Sequence, residues 1–277
     1  PDWGQDYDRC ASVVPIEGLR MKKILLIDDD RVFLKFLTNL LEKDGHQVHT
    51  VEDGIAALSL LTTITPDIIF LDLILPRIDG DKLCRVIRRM DHLRDCHLVV
   101  VSAVVAEMKD DFNGIGADSY IAKGPFDKIA RHVRAAVAAA DSARRPEQPG
   151  VVRGLETVSP RQLTRELLSR NRHLKTILDS MREGILEVID GQIVYANAAA
   201  SLLLGRPLEK LIAVSPADLF EPSQSERITA LVESEDCDAV GIGEQNPVEH
   251  QGRLMTVRCV PVENNVKPKI IIVADIS

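Results

Sequence analysis

Three carboxylates, one hydroxyl and one ammonium are the groups in the first half of this chain that could do chemistry: Asp28, Asp29, Asp72, Ser102 and Lys123. Carboxylates brought to one point repel, and they tolerate one another best around a divalent cation. An oxygen-only set favours Mg2+, which keeps several waters and takes one or two carboxylates together with phosphate oxygens. On that chemistry Asp29 and Asp72 bind the metal directly and Asp28 holds a coordinated water. A carboxylate is also a nucleophile able to form an aspartyl-phosphate, and Asp72 is the expected reactive group. The metal and the Lys123 ammonium would neutralise charge on the transferred phosphoryl oxygens. Ser102 would donate a hydrogen bond to one of those oxygens, and Ala103 beside it leaves room for the group.

These residues converge only if the elements around them place them together. Asp72 ends the unbroken apolar run Ile68-Ile69-Phe70-Leu71, which reads as a strand buried on both faces. Pro76 and the Asp79-Gly80 pair follow, so the strand stops and a loop leads into a helix. Asp28, Asp29 and Asp30 follow the strand Ile24–Ile27, Ser102 follows Leu98–Val101, and Lys123 follows Ser119–Ala122. His46–Val51 reads as an edge strand. Between the strands, helical periodicity appears from Val32 to Leu41, Ile55 to Leu61, Lys82 to Met90, weakly from Ala106 to Gly114, and from Phe126 to Ala140. Strands alternating with helices predict a five-stranded parallel sheet with right-handed crossovers. Such sheets bind ligands at the carboxyl ends of their strands. Four strands ending in functional groups therefore predict one site, not a scatter.

The rest of the chain reads differently. Residues 1–20 show no period and are expected to be a loose leader before a first domain at 21–140. From 141 to 160 Arg, Pro, Glu, Gln and Gly dominate, the composition of a linker. A connecting helix is expected at 161–182. Leu163, Leu167, Leu174, Ile177 and Met181 recur near heptad spacing and Arg170 interrupts them, so the helix could pair with its copy in a dimer. A smaller α+β domain at 183–277 is predicted to open with a hairpin, Ile185–Ile189 and Gln192–Tyr195, about Asp190-Gly191. Asn197 reads as the cap of a helix at Ala198–Leu204. Short helices at Leu208–Ile212 and Glu226–Glu233, and strands at Ala239–Ile242, Leu254–Val260 and Lys269–Ala274, complete it.

Composition narrows the function classes. A formal net charge of −8 argues against a broad nucleic-acid surface. No apolar run is long enough to span a bilayer and no secretory signal is visible. Cys10, Cys84, Cys96, Cys237 and Cys259 form no paired motif, which fits a reducing cytoplasm and gives neither a zinc site nor a disulfide framework. The chain begins with Pro1, not Met, so a fragment or an upstream extension is expected.

Residues 22–140 resemble the receiver domain of bacterial two-component response regulators. The resemblance rests on Asp28-Asp29, Asp72-x-x-Leu75-Pro76-x-x-Asp79-Gly80, Ser102-Ala103 and Gly116-Ala117-Asp118-x-Tyr120-x-x-Lys123, in family order. It implies a flavodoxin-like fold and phosphate transfer to Asp72 from the phosphohistidine of a partner kinase. It also implies that Ser102 and Tyr120 report the event by a hydroxyl shift and an aromatic rotamer change. One departure stands out: the family usually has Pro directly after the Lys, whereas this chain reads Lys123-Gly124-Pro125.

Residues from about 170 to 277 resemble a PAS sensory domain with an antiparallel sheet. The carriers are Ile177–Met181, Glu183-Gly184-Ile185, Ile193–Asn197, Leu202–Gly205 and Val273–Ile276. Some members of that family bind haem or flavin and others only dimerise. No Cys sits in a light-sensing flavin motif and no His occurs between His173 and His250, so a cofactor-free sensory or dimerising role is expected. His173 lacks the acidic neighbour and later Pro of a kinase phosphoacceptor box and reads as an exposed helix residue. Together these features predict a signalling phosphoacceptor, not an enzyme, partnered by a histidine kinase or phosphotransfer protein, without DNA or membrane contacts. The alternative is the front part of a receiver–PAS histidine kinase; the reading frame beyond Ser277 separates the two.

Overall fold

Four apolar runs in the first half of the chain become the interior strands of one sheet. In the computed structural model, residues 20–108, 114–140, 151–155, 162–233, 247–262 and 269–276 are described. The chain divides into two compact units, Pro1–Thr164 and Arg165–Ser277. No helix among the described residues is long and apolar enough to cross a membrane.

The first unit contains β1 (Lys23–Ile27), α1 (Arg31–Lys43), β2 (Gln47–Val51), α2 (Gly54–Leu61), β3 (Ile68–Leu71), α3 (Gly80–Arg88), β4 (His97–Ser102), β5 (Ser119–Ala122), α4 (Phe126–Ala139) and β6 (Val151–Arg153). The strands are parallel in the order β2-β1-β3-β4-β5-β6. β3 and β5 are buried at every residue, as runs without polar alternation require, while the edge strand β2 is half-exposed. On one face Phe33, Leu37 and Leu41 of α1 pack with Ile129, Val133 and Val137 of α4 over Ile24, Phe70 and Val99 of the sheet.

The α/β architecture is the expected one, with two corrections. The sheet has six strands, not five. Val151 to Arg153 pair with Ser119, Tyr120 and Ile121 inside the stretch read as linker. A three-residue strand is diluted in a window dominated by Arg, Pro and Gln, although its Val-Val pair is β-branched. Where a weak helix was expected to begin, at Ala106, the chain is in a 3-10 turn, Ala103–Glu107, directly off β4; residues 109–113 of the expected helix lie outside the described residues. Val104 and Val105 of that turn are buried in the core.

The second unit is antiparallel. α5 (Gln162–Ser180) contains the boundary between the units; β7 (Gly184–Ile189), β8 (Gln192–Ala196), α6 (Ala198–Leu203), α7 (Pro222–Glu233), β9 (Val248–His250), β10 (Arg253–Pro261) and β11 (Lys269–Asp275) follow. The sheet order is β8-β7-β11-β10-β9. Asp190 and Gly191 turn the first hairpin with φ of 50° and 75°, the left-handed pair that a two-residue turn needs. α7 starts before the expected Glu226 because Pro222 is preset for a first helical turn. β9 was not anticipated from the sequence, and the strand expected at Ala239–Ile242 lies outside the described residues. Leu174, Ile177 and Met181 are exposed, and the side chains of Leu163 and Leu167 lie outside the described residues.

Candidate functional site

Three backbone hydrogen bonds bring the functional residues abreast. Asp72 N–H donates to Ile27 O at 2.9 Å, Asp28 N–H to Val51 O at 3.1 Å and Lys123 N–H to Ser102 O at 3.1 Å. Each continues a strand ladder one step past its last apolar residue, so Asp28, Asp72, Ser102 and Lys123 meet at the carboxyl edge of the sheet. Asp28, Asp72 and Ser102 are buried, whereas Asp29 is exposed.

Carboxylate oxygens of Asp28, Asp29 and Asp72 all lie within 4.8 Å of one another. The Lys123 Nζ sits 2.7 Å from Asp28 Oδ2 and 2.5 Å from Asp72 Oδ2. Burial pushes the Asp28 carboxyl up to about 6; the nearby Asp72 charge adds to the rise and the Lys123 ammonium opposes it. Burial pulls Lys123 down, but Asp72 and Asp28 together outweigh it, so the ammonium ends above its ordinary range. The site therefore holds an excess of negative charge that one ammonium does not cancel.

The Ser102 hydroxyl is fully buried and has no hydrogen-bond partner. An orphaned buried hydroxyl costs about 1–3 kcal/mol, and it lies one ladder bond from Lys123. A cluster of oxygen donors, a cation already drawn between two of them and an unsatisfied donor beside them together suit a hard cation and an oxyanion. Asp28, Asp29 and Asp72 thus fit Mg2+, and Ser102 with Lys123 fits a phosphoryl group.

Of the expected site residues, Asp28, Asp29, Asp72 and Lys123 are brought together and Ser102 is set beside them. Tyr120 is buried on β5 at 2% exposure, and burial, with the neighbouring Cys84, pushes its phenol up to about 12. Its ladder partners are Val100 and Val152. The extra residue in Lys123-Gly124-Pro125 does not move the ammonium away. It is taken up in the turn before α4, where Lys128 and Ile129 N–H groups donate to Pro125 O at 3.0 Å. His173 is exposed, as expected.

Several supporting residues escaped the sequence reading. Asp30 is the cap of α1, its Oδ1 accepting from Val32 N at 2.9 Å and Phe33 N at 3.1 Å, while its own N–H donates to Asp28 Oδ1 at 3.1 Å. An Asp just before an apolar-periodic run was the available signal. Gly80 is required because a Cβ there would lie 2.2 Å from Asp72 O and 2.6 Å from Leu73 Cα. Phe33 places its ring centroid 4.6 Å from the Lys123 Nζ, a contact that no sequence spacing announces.

Comparison with known proteins follows the same division of the chain. Residues 24–134 match the response regulator receiver domain, and residues 172–272 match the PAS fold. RpaA of Synechocystis sp., described as a DNA-binding dual master transcriptional regulator, is 37% identical over 109 residues, 39% of this chain and 44% of that protein. The chain thus spans less than half of RpaA. The response regulator MprA of Mycobacterium sp. (strain KMS) is 30% identical over 193 residues, covering 68% of this chain and 78% of that protein. Among solved structures, the phosphorylated cyanobacterial phytochrome response regulator RcpA aligns at 26% identity and TM-score 0.40, over 46% of this chain and 100% of its own.

Proposed function

Because the chain belongs to the response regulator family, with a receiver domain at 24–134 followed by a PAS domain at 172–272, we propose that Asp72 carries a phosphoryl group taken from the phosphohistidine of a partner histidine kinase or phosphotransfer protein. An Asp72 carboxylate oxygen attacks phosphorus, the P–N bond to imidazole breaks, and its electron pair returns to the ring nitrogen. Lys123, already 2.5 Å from Asp72 Oδ2, neutralises charge on the carboxylate and on the arriving oxygens. Ser102 donates its orphaned hydroxyl proton to a phosphoryl oxygen, which removes its own desolvation cost. Asp29 and Asp72, with Asp28 through a coordinated water, would hold a Mg2+ ion at this oxygen cluster, and its charge would neutralise the phosphoryl oxygens.

The observation that carries this reading is the convergence of Asp28, Asp29, Asp72 and Lys123 on one sheet edge beside an unpartnered buried hydroxyl. Acetyl phosphate with Mg2+ is expected to label the wild type and leave Asp72→Asn unlabelled; equal labelling of both would remove the site.

In this reading the protein is a cytoplasmic phosphoacceptor with no kinase step of its own. The state of Asp72 is coupled to the PAS domain, a sensory or dimerising unit, through the 161–182 helix. In this reading the chain works without DNA contact, for which its net charge of −8 is the supporting observation. The exposed Leu174, Ile177 and Met181 support pairing of that helix with a second copy. Light scattering with and without a phosphoryl mimic tests the coupling, and a mass independent of the mimic would refute it.

A further inference from the structure

A lysine must be held still to serve a phosphoryl site, and this one follows a strand and precedes glycine. Lys123 carries four rotatable side-chain bonds, and Gly124 after it leaves the backbone free to swing. In the present geometry Asp28 and Asp72 hold the ammonium at 2.7 and 2.5 Å. Both carboxylates also belong to the oxygen cluster that suits a divalent cation, so they are a shared anchor. Phe33 is an anchor of another kind. Its ring centroid lies 4.6 Å from Lys123 Nζ, close enough for the negative face of the ring to attract the cation, and a ring does not compete for metal.

Phe33 is itself fixed from two sides. Its N–H donates to the Asp30 cap at 3.1 Å, and its side chain is 4% exposed in the core beneath α1. Phe126, the first residue of α4, lies 6.4 Å from the Phe33 ring and stacks on Phe36 at 4.5 Å with planes 19° apart. The aromatic trio thus joins α1 to the start of α4 and brackets the Lys123-Gly124-Pro125 turn.

We infer that Phe33 is a positioning residue for the phosphoacceptor site: its ring face holds the Lys123 ammonium over the Asp28–Asp72 pair, and the Phe36–Phe126 stack holds Phe33. This role offsets the freedom that Gly124 introduces, and it rests on the reading of Asp72 as phosphoacceptor. An aliphatic side chain at 33 would keep the position apolar, with less volume than the ring, and would not attract the ammonium.

The test uses the full chain and two readouts. In the NMR spectrum the Lys123 ε-methylene protons are expected upfield of the other lysines through the ring current of Phe33. Phe33→Leu is expected to abolish that displacement and Phe33→Tyr to keep it. With acetyl phosphate and Mg2+, Phe33→Leu is expected to label Asp72 about three- to tenfold more slowly and Phe33→Tyr within about twofold of wild type, the span of a part-buried cation–π contact. Labelling of Phe33→Leu at the wild-type rate, or wild-type Lys123 protons without displacement, overturns the inference. A wild type that takes no label sinks the phosphoacceptor reading instead, while the ring-current result still judges the contact. Should Phe33→Leu fail to fold, Phe126→Leu leaves the α1 core in place; it is expected to lose part of the displacement, and an unchanged spectrum overturns the inference.

Discussion

Substituting Asp28 by Asn removes a charge that the metal-free fold tolerates poorly. A folded-state value of about 6, against an ordinary 3.8, means that ionising this carboxyl costs the fold about 3 kcal/mol at neutral pH. The sign follows from the raised value. The folded state binds the proton more tightly than the unfolded chain, so the contribution is fully present below about 3.8 and is lost as pH rises through about 6. Asn is isosteric and its oxygen can still accept from Asp30 N–H, now at 3.1 Å. Its Nδ2 then stands where Oδ2 met the Lys123 ammonium and offers it no acceptor, which takes back part of the gain, but Asp72 stays 2.5 Å away as the ammonium's ion-pair partner. Urea unfolding in EDTA should therefore find Asp28→Asn more stable than wild type by about 2 kcal/mol at pH 7.5 and nearly equal at pH 4. Saturating Mg2+ should reverse the order, because wild type alone keeps the full oxygen set. Stability curves for the two proteins that run parallel from pH 4 to 8 in EDTA would refute the electrostatic account of the site.

Further outcomes follow from the same geometry. Lys123→Met leaves two buried carboxylates without their cation and should cost about 3 kcal/mol at pH 7.5 in EDTA, partly recovered at pH 5, by urea unfolding. Gly80→Ala sets a methyl 2.2 Å from Asp72 O, so the free energy of urea unfolding should fall by at least about 2 kcal/mol and labelling of Asp72 should slow. Asn197→Ala should cost the PAS unit at least about 3 kcal/mol, read from its thermal transition, since several buried partners lose their bonds at once. Asn197 Oδ1 accepts from Ile185 N and Ala200 N at 2.9 Å, and its Nδ2 donates to Leu178 O at 2.8 Å and Glu183 O at 3.0 Å.

That last side chain marks where sequence stopped being legible. Asn197 was readable as a helix cap because capping is local, and it does accept from Ala200 N–H. Its bonds to Leu178 and Glu183 join α5 to the sheet across tertiary space, which no spacing rule reaches. The acidic site was legible for the opposite reason. Parallel strands buried on both faces announce themselves as unbroken apolar runs, and the residue that ends each run is placed by the sheet. Asp72 and Lys123 are distant in sequence, yet each sits one step past its strand, so the topology alone predicted their meeting. β6 was hidden because its three residues are held by pairing with β5, not by any pattern of their own. The same holds for Phe33: its helical position was plain, but which cation its ring faces depends on where α1 lies over β5.

The account stands on one carboxylate. Treating the protein with acetyl phosphate and Mg2+, reducing the acyl phosphate with borohydride and mapping the peptides by mass spectrometry locates the acceptor directly. The reduced alcohol is expected at position 72 alone and is expected to vanish when EDTA replaces Mg2+. Reduction product at another carboxylate, or none at position 72 with Mg2+ present, would contradict the central claim.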